Sequence, residues 1–339
     1  MKSMQRLPSA YILVSLSFGI SLILSITVGA VDIPIQEIGA SFSLPRDGNV
    51  STYATILQDI RLPHTILIVL AGAALGASGA AYQGLFRNPL ADPYLIGVAS
   101  GAGLGAVAAM ALPLPVDLWS NFGIPGAAFI GAIGTVGLVY FIARSHESTA
   151  TTGLILAGVA VGSFSTALTT FLLLRSEGEL RSTLAWLIGG STSSGWDPVF
   201  AALPYIAIGL AIQFYYAHSL NALQFGDEQA TQLGIDVPKV KMGLVIGASL
   251  ATAAAVSFAG IIGFVGLIIP HMVRFLWGSD HRHLIPLSMV FGASFLLLSD
   301  IIARRLLAPQ TLPVGIITAL FGAPFFLWIL RRYRHQGMW

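Results

Sequence analysis

From residue 65 to residue 86 the chain runs 22 residues without a charged side chain, and such runs recur to its end. A helix of about 20 apolar residues matches the hydrocarbon thickness of a bilayer. In lipid every backbone N–H and C=O must be satisfied within the protein, so an uncharged run of this length is helical. Further uncharged runs cover 7–31, 93–116, 118–143, 148–174, 198–217, 242–273, 284–299 and 306–330. Of 339 residues 55% are hydrophobic and 9% charged, against roughly 25% charged in soluble proteins. A soluble core of this size would need a charged shell that is missing here. A β-barrel would instead show short alternating segments. The expected fold class is an all-α polytopic membrane protein, a single transmembrane domain over 1–339.

The run at 242–273 is too long for one ordinary span and splits at Ala259-Gly260, giving spans near 240–258 and 261–277. That makes ten, and the distribution of cations tests the split. With the N-terminus in the cytoplasm, 11 Lys and Arg fall inside: Lys2, Arg6, Arg87, Arg144, Lys239, Lys241, Arg274, Arg282, Arg331, Arg332 and Arg334. Six fall outside: Arg46, Arg61, Arg175, Arg181, Arg304 and Arg305. Without the split the count becomes 8 inside against 9 outside, so ten spans with both termini cytoplasmic is the reading. Residues 7–31 follow Lys2 and Arg6 as a signal peptide would, with Val28-Gly29-Ala30 resembling a cleavage site. The run exceeds the usual signal core, and it reads as a retained first span. Outside the spans, short surface helices are expected at 33–38 and 55–57.

Glycines recur four apart at Gly72 and Gly76, then at Gly97, Gly101 and Gly105. Small residues at this spacing let helix backbones approach closely in lipid. The stretch 61–105 thus reads as a hairpin made for tight packing. A residue before proline avoids the α region, so the Asn-Pro and Asp-Pro steps hold 88–93 as a fixed polar turn.

None of the three lysines stands in a GxxxxGK[ST] context, so the chain has no phosphate-binding loop of its own. It has no cysteine, no HExxH and no carboxylate pair within a span. No metal site, no bound cofactor and no catalytic residue is expected, and a net charge of +2 gives no sign of a nucleic-acid partner. Ion-coupled carriers keep ionisable residues at membrane depth. Their scarcity here weighs against an ATPase-independent secondary transporter or channel, and against an intramembrane enzyme. Energy for uphill movement would come from a partner. Between the sixth and seventh spans, Asp227 suits a helix N-cap and Gly234 the left-handed position after a helix end. They define a short helix over about 226–234, either interfacial or made to dock a soluble partner.

Three stretches, RLPHTILIVLAGAALGASGAAYQGLFRNPLADP, LQFGDEQATQLGIDV and GIIGFVGLIIPHMVRFLWGSDHRHLIPL, resemble the permease family of binding-protein-dependent ABC importers. These type II importers serve iron–siderophore complexes, haem and cobalamin. The likeness runs from about Gly29 over nearly the whole chain. It implies a ten-helix permease in a bacterial or archaeal plasma membrane, paired as a homodimer or with a similar subunit. Two ATPase subunits would use ATP and Mg from below, and a substrate-binding protein would dock from outside. By this resemblance Gly226, Asp227, Glu228, Leu233 and Gly234 form the coupling helix at the ATPase surface. Arg61, His64 and Arg304 become the docking residues. His64 stands where the family commonly has arginine, which makes that contact weaker or pH-dependent. On the residues alone, Arg61 and Arg304 read as interfacial anchors. Asn88 and Leu90, with Thr151 and Thr152, match positions that narrow the cytoplasmic end. Gly158, Gly162, Ser163, Ser165, Thr166, Thr169 and Thr170, with Gly315, Thr318, Gly322 and Pro324, would line a wide, weakly polar passage. The same residue types also serve helix packing. His271 is expected to be a structural hydrogen-bonding residue, and His281 and His283 solvated loop residues.

Overall fold

A computed structural model describes residues 7–29, 31, 33–34, 38–39, 52–111, 122–144, 151–175, 180–191 and 194–334. Lys2, Arg6, Arg46, residues 35–37 of the surface helix expected at 33–38, and the run ends at 112–116, 118–121 and 148–150 lie outside these residues. The described chain forms α1 (Leu7–Thr27), α2 (Thr52–Leu85), α3 (Val98–Ala111), α4 (Gly123–Ala143), α5 (Thr151–Arg175) and α6 (Leu180–Leu187). It continues as α7 (Asp197–Leu223), α8 (Asp227–Gln232), α9 (Val237–Ala259), α10 (Val265–Trp277), α11 (His281–Leu306) and α12 (Val314–Arg334). Seven of these, α1, α2, α4, α5, α7, α9 and α11, are long and apolar enough to cross a membrane. Three more, α3, α10 and α12 to Ile329, are shorter apolar helices. The protein is a helical, multi-pass membrane protein.

The long seventh run breaks at Ala259, where Gly260 takes φ 78°, and resumes at Val265 after Phe264 at φ 71°. The resulting α10 has 13 residues and α3 has 14, each about 20 Å long at 1.5 Å per residue. That falls short of a hydrocarbon core about 30 Å thick. A non-helical segment precedes each one: residues 260–264 before α10, and the 3-10 turn Pro93–Ile96 before α3. The two segments hold each other. The Tyr94 hydroxyl donates to the Ile262 carbonyl at 2.8 Å and accepts the Ile262 N–H at 3.2 Å. A Cβ on Gly266 would lie 2.6 Å from the Pro93 ring and 3.0 Å from the Leu75 carbonyl oxygen. Leu75 is ten residues before the end of α2, about 15 Å into the bundle. Backbone outside a helix at that depth survives only where protein supplies its partners.

Glycines set the closest helix contacts. A Cβ on Gly72 would sit 2.5 Å from the Gly292 carbonyl oxygen, and one on Gly76 2.2 Å from that of Ser288, so this face presses α2 onto α11. Gly101 and Gly105 approach the carbonyl oxygens of Gly131 and Ala127 in α4 within 2.4 and 2.1 Å of their Cβ positions. The two arms of the 61–105 hairpin thus turn their glycines to different helices. Gly97 also faces α4, its Cβ position 2.7 Å from the Thr135 methyl, and at φ 85° it ends the 3-10 turn.

The expected surface helix at 55–57 is instead the beginning of α2. That helix passes through a π turn at Ile56–Arg61 ahead of Pro63, whose missing N–H makes a regular ladder impossible there. Likewise α11 runs on past Ser299 to Leu306. Arg61, His64 and Asp300, which marked span edges in the sequence, are partnered within the bundle and do not end the helices. At one end of the bundle, called here the α8 end, the Tyr11 hydroxyl meets His283 Nδ1 at 3.0 Å and the Gln224 amide donates to the Gly84 carbonyl at 3.0 Å. At the far end Trp196 Nε1 donates to the Gln58 carbonyl at 3.0 Å, and the Val314 N–H to that of Gly189 at 3.2 Å.

Candidate functional site

At the α8 end, α7 stops at Leu223 and Gly226, at φ 111°, turns the chain into α8. Gly226, not Asp227, is the N-cap, and no side chain caps this helix. Asp227 is the first helical residue, and its carboxylate accepts from Lys241 Nζ at 2.5 Å. Lys241, in α9, has a side chain only 5% exposed. A buried ammonium needs a counter-charge more than a helix end needs its cap. The other end follows expectation: Gly234, at φ 83°, donates to the Thr231 carbonyl at 2.9 Å and Ile235 to that of Ala230 at 3.1 Å. This two-bond pattern is the usual glycine-based stop. Ala230 is buried beneath α8, while Glu228 is exposed and Phe225 and Leu233 stand 70% and 68% exposed.

Beside α8, Asp280 caps α11 by accepting the Arg282 N–H at 3.0 Å. The Arg282 guanidinium on Asp280 holds that carboxyl well below the usual range. His281 is not a solvated loop residue. It is 1% exposed, and its N–H and Nδ1 both lie 2.9 Å from Asn221 Oδ1 at the end of α7. His271 is buried in α10.

The polar turn has the rigidity its prolines suggested. Asn88 Oδ1 accepts the Leu90 N–H at 2.9 Å, the Asn88 carbonyl accepts the Ala91 N–H at 3.1 Å, and Asp92 accepts the Tyr94 N–H at 2.8 Å. Arg87, Asn88 and Pro89 are exposed and Leu90 half-buried. Next to it α5 packs through Gly158, whose Cβ position is 2.1 Å from the Leu95 carbonyl oxygen. Thr151 and Thr152 open the same helix two turns nearer the α8 end.

A groove of about 930 Å³ runs between α5, α3 and the 3-10 turn, and Gly158, Gly162, Ser163 and Thr166 all line it, with Thr169 and Thr170. The hydroxyls of Thr166, Thr169 and Thr170 donate to carbonyls one turn back in α5 at 2.8 to 2.9 Å. What these threonines show the groove is therefore mostly methyl. Thr318 and Gly322 are not part of this lining. Thr318 is fully buried with its hydroxyl on the Gly315 carbonyl, and a Cβ on Gly322 would meet the Phe264 ring at 2.4 Å. Their smallness lets α12 close on the 260–264 break. Asp92, from the polar turn, and Tyr94, from the run at 93–116, also line the groove.

At the far end a cavity of about 720 Å³ is lined by Arg61, His64, Asp300, Arg304 and Trp186, among others. Arg61 is 6% exposed and faces inward. It donates to the carbonyls of Ile26, Thr27 and Val31 at 2.9, 3.1 and 2.5 Å, binding the acceptors left over where α1 ends. As a direct surface contact, Arg61 is thereby corrected to an internal brace. His64 Nε2 lies 2.9 Å from one oxygen of Asp300, and Arg304 Nε 2.9 Å from the other. Arg304 also donates to Ser25 Oγ at 2.9 Å, and Ser25 meets Thr65 at 3.0 Å. Asp300, unassigned in the sequence, is thus the centre of the cluster, and His64 is its most accessible member at 31% against 12% for Arg304.

Glycine-packed apolar helices around a weakly polar groove, with a firmly stopped surface helix at one end, define a membrane-embedded transport protein. The chain belongs to the FecCD transport family, whose model matches residues 17–332. It is 46% identical over 300 residues to the cobalamin import system permease protein BtuC of Halobacterium salinarum, covering 88% of this chain and 80% of that one. It is 41% identical over 337 residues to the ABC transporter permease protein YvrB of Bacillus subtilis, with 97% and 95% covered. A solved structure described as an inward-facing conformation of a metal-chelate type ABC transporter matches with TM-score 0.81 at 30% identity, over 96% of this chain and 99% of that one.

Proposed function

We propose that the chain is the translocation subunit of an ATP-binding-cassette importer for a metal chelate: cobalamin, haem or a ferric siderophore. It is a single domain over 1–339 crossing a bacterial or archaeal plasma membrane ten times, with both termini and the α8 end in the cytoplasm. Seven long apolar helices and three shorter ones support the count, two of the shorter ones being extended by the non-helical segments that precede them. The chain performs no hydrolysis. It pairs with a second permease copy, two ATPases that use ATP and Mg, and an external binding protein.

The observation that carries this reading is α8. A two-turn helix with a fixed stop, bonded to α9 through Asp227, presents Phe225, Leu233 and Glu228 outward at one end of the bundle. Exposed apolar side chains on a braced element suit docking into a soluble partner and passing on its motion. The groove supports a passage without a tight site, since its threonine hydroxyls are already satisfied and substrate choice then falls to the binding protein. Asn88, Leu90, Thr151 and Thr152 border its cytoplasmic end. His64 and Arg304 form the outer docking point, with Arg61 fixing the end of α1 behind them. Replacing Phe225 and Leu233 together by glutamate tests the reading by co-purification: the ATPases should be lost from a chain that still elutes as the parent does. Full retention of the ATPases would refute it.

A further inference from the structure

Arg87 occupies a position where a helix normally carries glycine. At the end of α2 the Arg87 N–H donates to the Gly84 carbonyl at 3.2 Å and the Asn88 N–H to that of Gln83 at 3.1 Å. This is the same two-bond stop that Gly234 makes for α8, and it needs a left-handed residue at its turning point. Arg87 supplies it at φ 50°, a conformation that costs a β-carbon-bearing residue and persists only where the surroundings hold it. What the side chain gains there is Asp227: Arg87 Nη2 lies 3.8 Å from Asp227 Oδ1, while Lys241 Nζ holds the other oxygen at 2.5 Å. The Arg87 guanidinium also reaches the turn into α8, its Nη1 in ordinary contact range, 3.6 Å, of the Cβ position of Gly226. One carboxylate on α8 thus joins two cations, one on α9 and one on the first residue of the rigid Arg87–Asp92 turn.

We infer that Arg87 is a positioning residue that makes α8 and the Asn88–Leu90 turn one mechanical unit, so that a displacement of the surface helix moves the inner turn with it. Resting on the role proposed for α8, the inference adds the route by which that helix reaches the pathway. Lys241 anchors Asp227 to the bundle and fixes its direction. Arg87 reads its position. The turn then needs no hinge of its own, because Asn88 and Asp92 already close it with their side chains.

The absence of cysteine allows a direct test in the complete assembly with its ATPases, in nanodiscs. Spin labels at Leu90→Cys and at Gln232→Cys, an exposed α8 position outside the proposed docking residues, report the distance between turn and helix by pulsed electron resonance, with and without ATP trapped by vanadate. Arg87→Gly keeps the left-handed turn and removes only the side chain, so it folds at least as well as the parent. With both labels on one permease copy and none on the other, the parent is expected to give one narrow distance unchanged by nucleotide. Arg87→Gly should broaden or shift that distance by several Å on trapping while hydrolysis continues, and Arg87→Lys should restore the parent behaviour. An Arg87→Gly distance as narrow and nucleotide-insensitive as the parent's overturns the link but leaves the ATPase-coupling role of α8 standing. Failure of the parent chain to retain any ATPase removes both.

Discussion

Replacing Gly76 by alanine tests whether glycine contacts hold this bundle together. The new methyl would lie 2.2 Å from the Ser288 carbonyl oxygen, where ordinary contact begins near 3.4 Å. The obstacle is α11 backbone, which cannot rotate away, so α2 and α11 must part locally by about 1.2 Å. One turn earlier Gly72 meets the Gly292 carbonyl in the same way, so the gap spreads along the contact. Overpacking of this kind costs about 1–3 kcal/mol, offset by up to about 1 kcal/mol of helix propensity gained over glycine. Because the obstacle is backbone, the upper part of that range applies, about 2–3 kcal/mol, and a net loss of about 1–2 kcal/mol follows. Gly137, in α4, has nothing within 4 Å of its Cβ position, and Gly137→Ala should be neutral or stabilising. Equilibrium unfolding in mixed micelles titrated with SDS, followed by tryptophan fluorescence, measures both. Equal stability of Gly76→Ala and the parent, or an equal loss in Gly137→Ala, would refute the assignment of the glycines to backbone contact.

Further outcomes follow from the two ends. Asp300→Ala leaves Arg304 and His64 facing each other without their carboxylate, and breaking a buried pair from one side should cost about 3–5 kcal/mol in the same unfolding assay; a loss below 1 kcal/mol would contradict the cluster's central place. Arg61→Ala should speed amide exchange selectively at residues 24–28 by freeing the end of α1, whereas uniform exchange would show that Arg61 is no brace. Asp280 has a depressed folded value, so it stabilises above the ordinary carboxylate range, and this contribution begins to fade near about pH 4 and is lost progressively as pH falls toward the folded value. The stability difference between the parent and Asp280→Asn should therefore hold steady above about pH 5 and shrink below it; a difference that stays flat to pH 3 would exclude the Arg282 pair as its source.

Composition and run length made the helical membrane class legible, and the glycine spacing marked the closely packed faces. Which helix each face meets was not legible, because Gly72 and Gly101 carry the same signal and meet α11 and α4. The Ala259-Gly260 break could be read from the length of its run. That α3 and α10 both begin below the surface, pinned by Tyr94 on Ile262, depends on a contact 168 residues apart and leaves no local pattern. Charges misled where they were paired. Arg61, His64 and Asp300 looked like edges of spans, yet each sits within a helix whose neighbours neutralise it or satisfy its donors. Asp227 looked like a cap because it stands before a helix, and only the fold shows Lys241 beside it. Thr318 and Gly322 suited a passage by residue type, but small residues serve packing equally well, and their burial assigns them to packing.

The central claim is that this chain moves its cargo only when a partner ATPase drives it. Proteoliposomes holding the chain alone, or the chain with its ATPases, can be supplied with the external binding protein and labelled cobalamin, haemin or a ferric siderophore in turn. The account predicts uptake of at least one of these ligands with the ATPases and hydrolysable ATP on the α8 side, and none with the chain alone under a proton or sodium gradient. Gradient-driven uptake by the chain alone would contradict it.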